Sequence, residues 1–259
     1  MNTQQPQLIS SAANPLLKDL RRLAQDSTAY RKQGRIWLEG DHLCSAALAR
    51  GLQPAIAVFS ESAWQAQASR WTTLRGRIVL LADALFGSIS ALESPGYMGF
   101  VVELPAAPAI APAAPTVILD RVQDAGNVGS ILRSAAAFGF GQVIAIKGTA
   151  ALWSPKVLRA GMGAHFALSL IEGVDIPDLE RLDVPLLATS SHRGEFLHEA
   201  KLPWPCGWML GHEGQGVSPE LEARAAHSVR IAQPGGEESL NVAAAAAICL
   251  HASACTRLG

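Results

Sequence analysis

The sequence predicts an α/β protein in two parts: a C-terminal parallel sheet with helices on both faces, and a smaller N-terminal α/β unit. Three observations carry this reading. Short runs of strand length, apolar throughout, alternate with helical segments over residues 116–259, and such runs joined by helices imply a parallel sheet covered on both sides. A stretch from Glu103 to Pro115, ELPAAPAIAPAAP, then breaks the pattern, its four prolines leaving no helical or strand period and favouring an extended spacer. Finally, charged residues make up only 17% of the chain and apolar ones 49%, with a mean hydropathy of +0.19, which argues for extensive burial and against disorder. With 259 residues the chain exceeds the roughly 100–150 of a usual domain. The expected division is 1–104, a spacer over 105–115, and 116–259.

The elements follow in order. Pro15 to Ala24 sets Leu16, Leu17, Leu20 and Leu23 at helical spacing, with Lys18, Arg21 and Arg22 on the opposite face, an amphipathic helix with a basic side. RIWLEG reads as a strand, Leu43 to Ala49 as a helix, and Ala55 to Phe59, Ile78 to Leu81 and Tyr97 to Glu103 as strands. After the spacer come strand TVILD, a helix from about Val128 to Phe138, strand QVIAI, and strands PLLATS, GWMLG and SVRIA with helices or loops between.

Charge excludes a polycation, because 21 Lys and Arg meet 22 Asp and Glu. Any nucleic-acid contact must therefore use a local patch. One exists within residues 1–35, where Lys18, Arg21, Arg22, Arg31, Lys32 and Arg35 face only Asp19 and Asp26. On charge alone this could equally be a solvated helix face. Four cysteines without CxxC spacing suggest neither a disulfide framework nor a zinc ribbon. No eighteen-residue apolar stretch and no leader pattern is present. The expectation is a cytoplasmic protein with no membrane and no metal.

Ligands of such sheets bind outside the carboxyl ends of the strands, and three loops there carry unusual residues. LDRVQDAGNVGSILRSAAAFGFG, residues 119–141, contains Asn127 and places Arg133 among small apolar neighbours. A buried guanidinium would require a partner, so one reading of Arg133 is a structural ion pair. WMLGHEGQGVSPEL, residues 208–221, surrounds Glu213 with Gly211, Gly214 and Gly216, and ends in Ser218 and Pro219 as a helix cap and first helical residue. Its His212–Glu213 pair is not HExxH, since position 216 is glycine. In IAQPGGEESLNVAAAAAICLHA, residues 231–252, Ser239 and Asn241 precede a run of alanines. Taken alone, Ser239 reads as an N-cap.

These three segments, in this order and spacing, resemble the motifs of the SpoU (TrmH-like) branch of the SPOUT RNA 2′-O-ribose methyltransferases, and residues 9–43 resemble that family's N-terminal substrate-binding domain. The resemblance implies a trefoil-knotted catalytic domain, a homodimer, S-adenosylmethionine as methyl donor, and transfer to a ribose 2′-hydroxyl of RNA. Ribosomal RNA is favoured, with transfer RNA as the alternative. It places catalytic roles on Asn127, Arg133, Glu213, Ser239 and Asn241. Cofactor contacts fall on Gly211, Glu213, Gly216, Ile231, Ser239, Leu240 and Asn241, and on position 190, which is Ser190. RNA contacts fall on Lys18, Arg21, Arg22, Arg31, Lys32 and Arg35. Two positions depart from the family pattern, Ala125 and Ala232, where proline is common.

The residue types suit the chemistry. A ribose hydroxyl is a poor nucleophile until its proton leaves or its developing charge is stabilised. A guanidinium with a pKa above about 12 suits the second task better than the first, so Arg133 is expected to orient and stabilise, with a base role left open. A nicotinamide-dependent oxidoreductase is the competing class, but GNVGSI is not GxGxxG and strand QVIAI is followed by Lys147 and Gly148 instead of an acidic residue. A non-catalytic RNA-binding protein on the same fold predicts a damaged constellation, and all five residues are present.

Overall fold

The computed structural model describes residues 6–90, 96–190, 193–235 and 239–257. The chain divides into two compact units, one comprising Met1–Ala106 with Trp153–Phe166, the other Ala107–Leu152 with Ala167–Gly259. Segment 153–166 therefore groups with the first unit although it lies within the C-terminal half of the sequence.

The first unit runs β1 (Gln7–Ile9), α1 (Pro15–Gln25), α2 (Ala29–Gln33), β2 (Arg35–Glu39), α3 (Asp41–Ala49), β3 (Ile56–Ser60), α4 (Glu61–Gln67), β4 (Arg77–Leu81), α5 (Asp83–Gly87) and β5 (Met98–Glu103). Its sheet has the order β1-β4-β3-β5-β2. β1, β4 and β3 are parallel, and β5 is antiparallel to both β3 and β2. Helix α1 begins where Asn14 Oδ1 accepts the Leu16 N–H and Pro15, having no N–H, needs no acceptor. It buries Leu17, Leu20 and Leu23 and leaves Lys18 and Arg22 exposed, as its amphipathic spacing dictates. Trp37, Phe59, Phe86 and Phe100 fill the core.

The second unit holds β6 (Thr116–Asp120), α6 (Ala125–Phe138) and β7 (Gln142–Ile146); α7 (Pro155–Gly161) belongs to the first unit; then follow β8 (Ser169–Val174), β9 (Leu186–Thr189), β10 (Glu195–Phe196), β11 (Gly207–Gly211), α8 (Pro219–Glu222), β12 (His227–Arg230) and α9 (Val242–Cys255). The sheet order is β10-β12-β9-β11-β6-β7-β8, and every pairing is parallel. β11 thus enters between β6 and β9, although β7 to β10 intervene in sequence. That places the glycine loop after β11 beside the turn after β6.

Several elements depart from the sequence reading. α6 starts at Ala125, not near Val128, because Asp124 Oδ1 accepts the Asn127 N–H and caps it. Gly126, Asn127 and Gly129 are therefore helical despite their low propensity. Ala125 is the first helical residue, a position where proline is at home. β8 escaped notice because Glu172 and Gly173 interrupt its apolar run. The later part of the spacer is docked, not free: Pro112 O accepts the Asp183 N–H at 2.9 Å, the Gln142 amide bonds Ala111 on both sides, and Ile110 packs against the core.

Helix α9 packs on α6 and β11. It carries no Lys, Arg, Asp or Glu, and it buries Ala246, Cys249, Leu250 and Ser253 while Ile248 and His251 are exposed. Ser253 anchors it, since its Oγ accepts the indole N–H of fully buried Trp208 at 2.9 Å. Ser253→Ala would strand that donor, and a buried unsatisfied group costs about 1–3 kcal/mol. Urea denaturation should show a loss of that size with an unchanged m-value.

Candidate functional site

Because the second sheet is wholly parallel, its strands end on one edge, and β12, β9, β11 and β6 are consecutive neighbours there. Asp120, Thr189, Gly211 and Arg230 are their last residues. The three loops singled out by sequence all spring from this edge.

The β11 loop folds back on itself. His212 N–H donates to Gly216 O at 3.0 Å and Gly216 N–H to His212 O at 2.8 Å, with Gly216 at φ +69°. A Cβ on Gly211 would lie 2.0 Å from the Gly216 carbonyl carbon, so only glycine permits this return. His212 Nδ1 accepts the Gly214 N–H at 3.0 Å, which gives that histidine a role inside the loop.

Glu213 stands at the tip. Its Oε1 accepts the Asp124 N–H at 3.0 Å and Asn127 Nδ2 at 3.1 Å, and its Oε2 accepts the Gln123 N–H at 3.2 Å. The carboxylate lies at the entry to α6, where the helix macrodipole favours negative charge. Burial pushes its pKa up, but the hydrogen bonds from Asp124, Asn127 and Gln123 prevail and hold it below the usual carboxylate range. Asn127 continues the chain: its Oδ1 accepts Asn241 Nδ2 at 2.9 Å. Asn241 Oδ1 in turn accepts the Ala243 and Ala244 N–H groups and caps α9. One side-chain relay, Glu213–Asn127–Asn241, thus ties the second, first and third segments together.

The other candidates sit around this relay. Asn241, not Ser239, is the N-cap of α9, while Ser239 is exposed two residues earlier. Leu240 is 39% exposed, and Ile231 is half-buried just past β12. Ser190 follows β9; its N–H donates to Val229 O at 3.0 Å and its Oγ accepts the Arg193 N–H. Arg133 departs from one expectation. It is exposed on α6 and makes no hydrogen bond or ion pair among the described residues, so its guanidinium is solvated and needs no buried carboxylate. Its neighbours on that face, Gly126, Ser130 and Ala137, are exposed too. Ser218 occupies the N-cap position of α8 without a side-chain capping hydrogen bond, and its Oγ is buried.

The basic residues of the first unit are mostly at the surface. Lys18, Arg22 and Lys32 are exposed without ion pairs among the described residues. Arg21 bonds Ser88 Oγ, Arg31 Nε donates to Tyr30 OH, and Arg35 pairs with Glu103 at 2.9 Å.

Sequence reasoning missed Asp120. This buried carboxylate ends β6; Oδ2 accepts the Ser218 N–H at 2.6 Å and Oδ1 accepts Arg121 Nε at 2.9 Å. Arg121 adopts φ +59° and reaches Gln215 at 3.2 Å. A second clasp therefore joins the β6 turn to the β11 loop. An acidic residue closing an otherwise apolar strand was the available signal. Among the described residues, no group of histidine, cysteine and carboxylate side chains could hold a metal ion.

Burial pushes the Asp120 pKa up, but the Arg121 guanidinium and the Ser218 N–H outweigh it and hold the carboxyl below its usual range. A folded value below the unfolded one means that the ionised form stabilises the protein fully above about pH 4, and that this contribution is lost as pH falls through the lowered value. Asp120→Asn should cost about 1–3 kcal/mol at pH 7. Denaturation from pH 6 to pH 3 should show the gap to wild type narrowing below pH 4.

Comparison with known proteins places this geometry in a family. The model of the SpoU rRNA methylase family matches residues 114–251. An uncharacterised tRNA/rRNA methyltransferase of Synechocystis is 31% identical, the match covering 94% of this chain and 92% of that protein. The 23S rRNA (guanosine(2553)-2′-O)-methyltransferase of Bacillus subtilis is 28% identical over 94% of this chain and 97% of its own. Among solved structures, an rRNA methyltransferase of Sinorhizobium meliloti with bound AdoMet superposes with a TM-score of 0.85 at 27% identity, covering 99% of this chain and 100% of that one. The match spans both units, including the three loops and the relay that joins them, and the chain belongs to the SpoU rRNA methylase family.

Proposed function

We propose that the protein transfers a methyl group from S-adenosylmethionine to a ribose 2′-hydroxyl of RNA, with ribosomal RNA as substrate. The observation that carries this reading is the Glu213–Asn127–Asn241 relay, which holds three loops of the family at one sheet edge beside a solvated Arg133. The names of relatives that match over both units, a 23S rRNA 2′-O-methyltransferase among them, support ribosomal RNA over transfer RNA. No helix among the described residues is long and apolar enough to cross a membrane, and a cytoplasmic place is part of the proposal.

The loops fit the donor by their chemistry. Leu240 and Ile231 offer apolar surface at the edge, Gly216 leaves main chain uncovered, and Gln233 Oε1 is buried without a partner among the described residues. Ser190, Gly211, Glu213, Gly216, Ile231, Ser239, Leu240 and Asn241 would hold it. When bound, the donor supplies a methyl group activated by a sulfonium, for in-line displacement by an oxygen nucleophile.

The chain's own residues do the rest. Glu213 and Asn127 hold the α6 entry rigid, and Asn241 fixes the start of α9, so the edge is built before any ligand arrives. Arg133 has no internal partner and offers planar paired donors to the ribose oxygen and its phosphate, stabilising charge as it develops. Lys18, Arg21, Arg22, Arg31, Lys32 and Arg35 would grip RNA phosphates. The strand order, with β11 entered late between β6 and β9, is compatible with a trefoil knot of the backbone. The apolar outer face of α9, with Ile248 exposed, and the small-residue face of α6 would form a homodimer interface.

Calorimetry should show binding of S-adenosylmethionine and none of NAD. Arg133→Ala should retain that binding and the folded state while losing methylation by roughly 100-fold or more, and Arg133→Lys should recover little. An alanine variant that unfolds, or one with wild-type activity, would return Arg133 to a structural role. Equilibrium sedimentation at micromolar concentration should show a dimer, shifted to monomer by Ile248→Asp. A fully active wild-type monomer would contradict the interface.

A further inference from the structure

The first unit contains a recess of about 370 Å³ between α4 and the start of β5, a size at the lower end of small-ligand sites. Phe59 lies in its floor, packed at 5.0 Å on Trp64 and 5.8 Å on Trp71. One wall is the face of α4 carrying Ser62, Ala63 and Ala66, whose small side chains leave the space open. Tyr97 and Arg70 stand at the rim.

Tyr97 is the unusual residue. It is 52% exposed, and its φ of +54° is a conformation that side-chain-bearing residues rarely adopt. The surroundings enforce it: Tyr97 O accepts the Ser60 N–H at 2.9 Å, and Met98 O accepts the Gly40 N–H at 2.9 Å. A Cβ on Gly96 would lie 2.9 Å from Gly40 Cα, so the segment has no room to relax. Strain held in place by its neighbours, on an aromatic residue that buries little, points to function more than to stability. Arg70 is equally fixed, bonded to Asp41 Oδ2 at 2.7 Å with its guanidinium 5.1 Å from the Trp71 ring centre. The Tyr97 hydroxyl and the Gln67 amide have no hydrogen-bond partner among the described residues.

We infer that this recess binds one unstacked nucleobase of the RNA substrate, stacked on Tyr97, with its edge read by Gln67 and Asp41 and its phosphate met by Arg70. The inference rests on the RNA-methyltransferase reading and adds a base subsite to it. Single-stranded loops are recognised in this way, by aromatic side chains receiving splayed bases and polar groups reading their edges.

The test uses the full chain and ribosomal RNA from cells lacking the protein. Ultraviolet crosslinking followed by peptide mass spectrometry should give a nucleotide adduct on the peptide carrying Tyr97. Tyr97→Ala should weaken RNA binding roughly tenfold, the scale of one lost base stack, while Tyr97→Trp keeps the affinity. Tyr97→Gly relieves the positive φ, so it should melt no lower than wild type and yet bind RNA as weakly as the alanine variant, which separates loss of the subsite from loss of the fold. A wild type that methylates RNA, with no adduct at Tyr97 and with all three variants binding normally, overturns the subsite and leaves the activity standing. A wild type that neither binds nor methylates RNA overturns both. Free nucleoside monophosphates binding as tightly as RNA would assign the recess to a metabolite and overturn the RNA reading.

Discussion

The Glu213 carboxylate is the constraint on which the catalytic unit turns. One side chain from the β11 loop accepts two main-chain N–H groups and one amide from the entry of α6, and Asn127 passes the connection to the cap of α9. Hydrogen bonds to an ionised acceptor are the stronger kind, and these also satisfy donors at a helix N-terminus that would otherwise lack partners. Three glycine-containing segments from distant parts of the sequence are thereby fixed against one another.

That arrangement is possible only because of the sheet order. Gly211 pairs with Asp120, so the ends of β6 and β11 lie side by side, and Asp120 adds a buried clasp through Ser218 and Arg121. Beneath the loops, α9 is anchored by Ser253 on Trp208 and packs on α6. The two helices that start at the site are thus held by the core at their far ends and by the relay at their near ends. A rigid scaffold carrying polar loops is the usual way a fold positions chemistry.

Arg133 and Tyr97 show the opposite economy. Neither side chain makes a hydrogen bond or ion pair among the described residues; one is a solvated cation on the exposed face of α6, and the other holds a strained backbone angle at the mouth of a recess.

The sequence by itself determined the class of fold, the strands TVILD, QVIAI and GWMLG, the amphipathic α1 and the three segments of the site. Each of these is written in local periodicity or in the spacing of residues within one segment, which a single chain displays directly. Tertiary structure alone decided that Glu213 bonds Asn127, 86 residues away, that Asn241 and not Ser239 caps α9, that Asp120 matters, and that Arg133 faces solvent. It also decided that α6 begins at Ala125, since the cap from Asp124 overrides the poor propensity of glycine and asparagine in that turn, and that segment 153–166 groups with the first unit. These outcomes depend on which strands become neighbours. A parallel sheet brings together strand ends that are far apart in sequence, and no local pattern records that pairing.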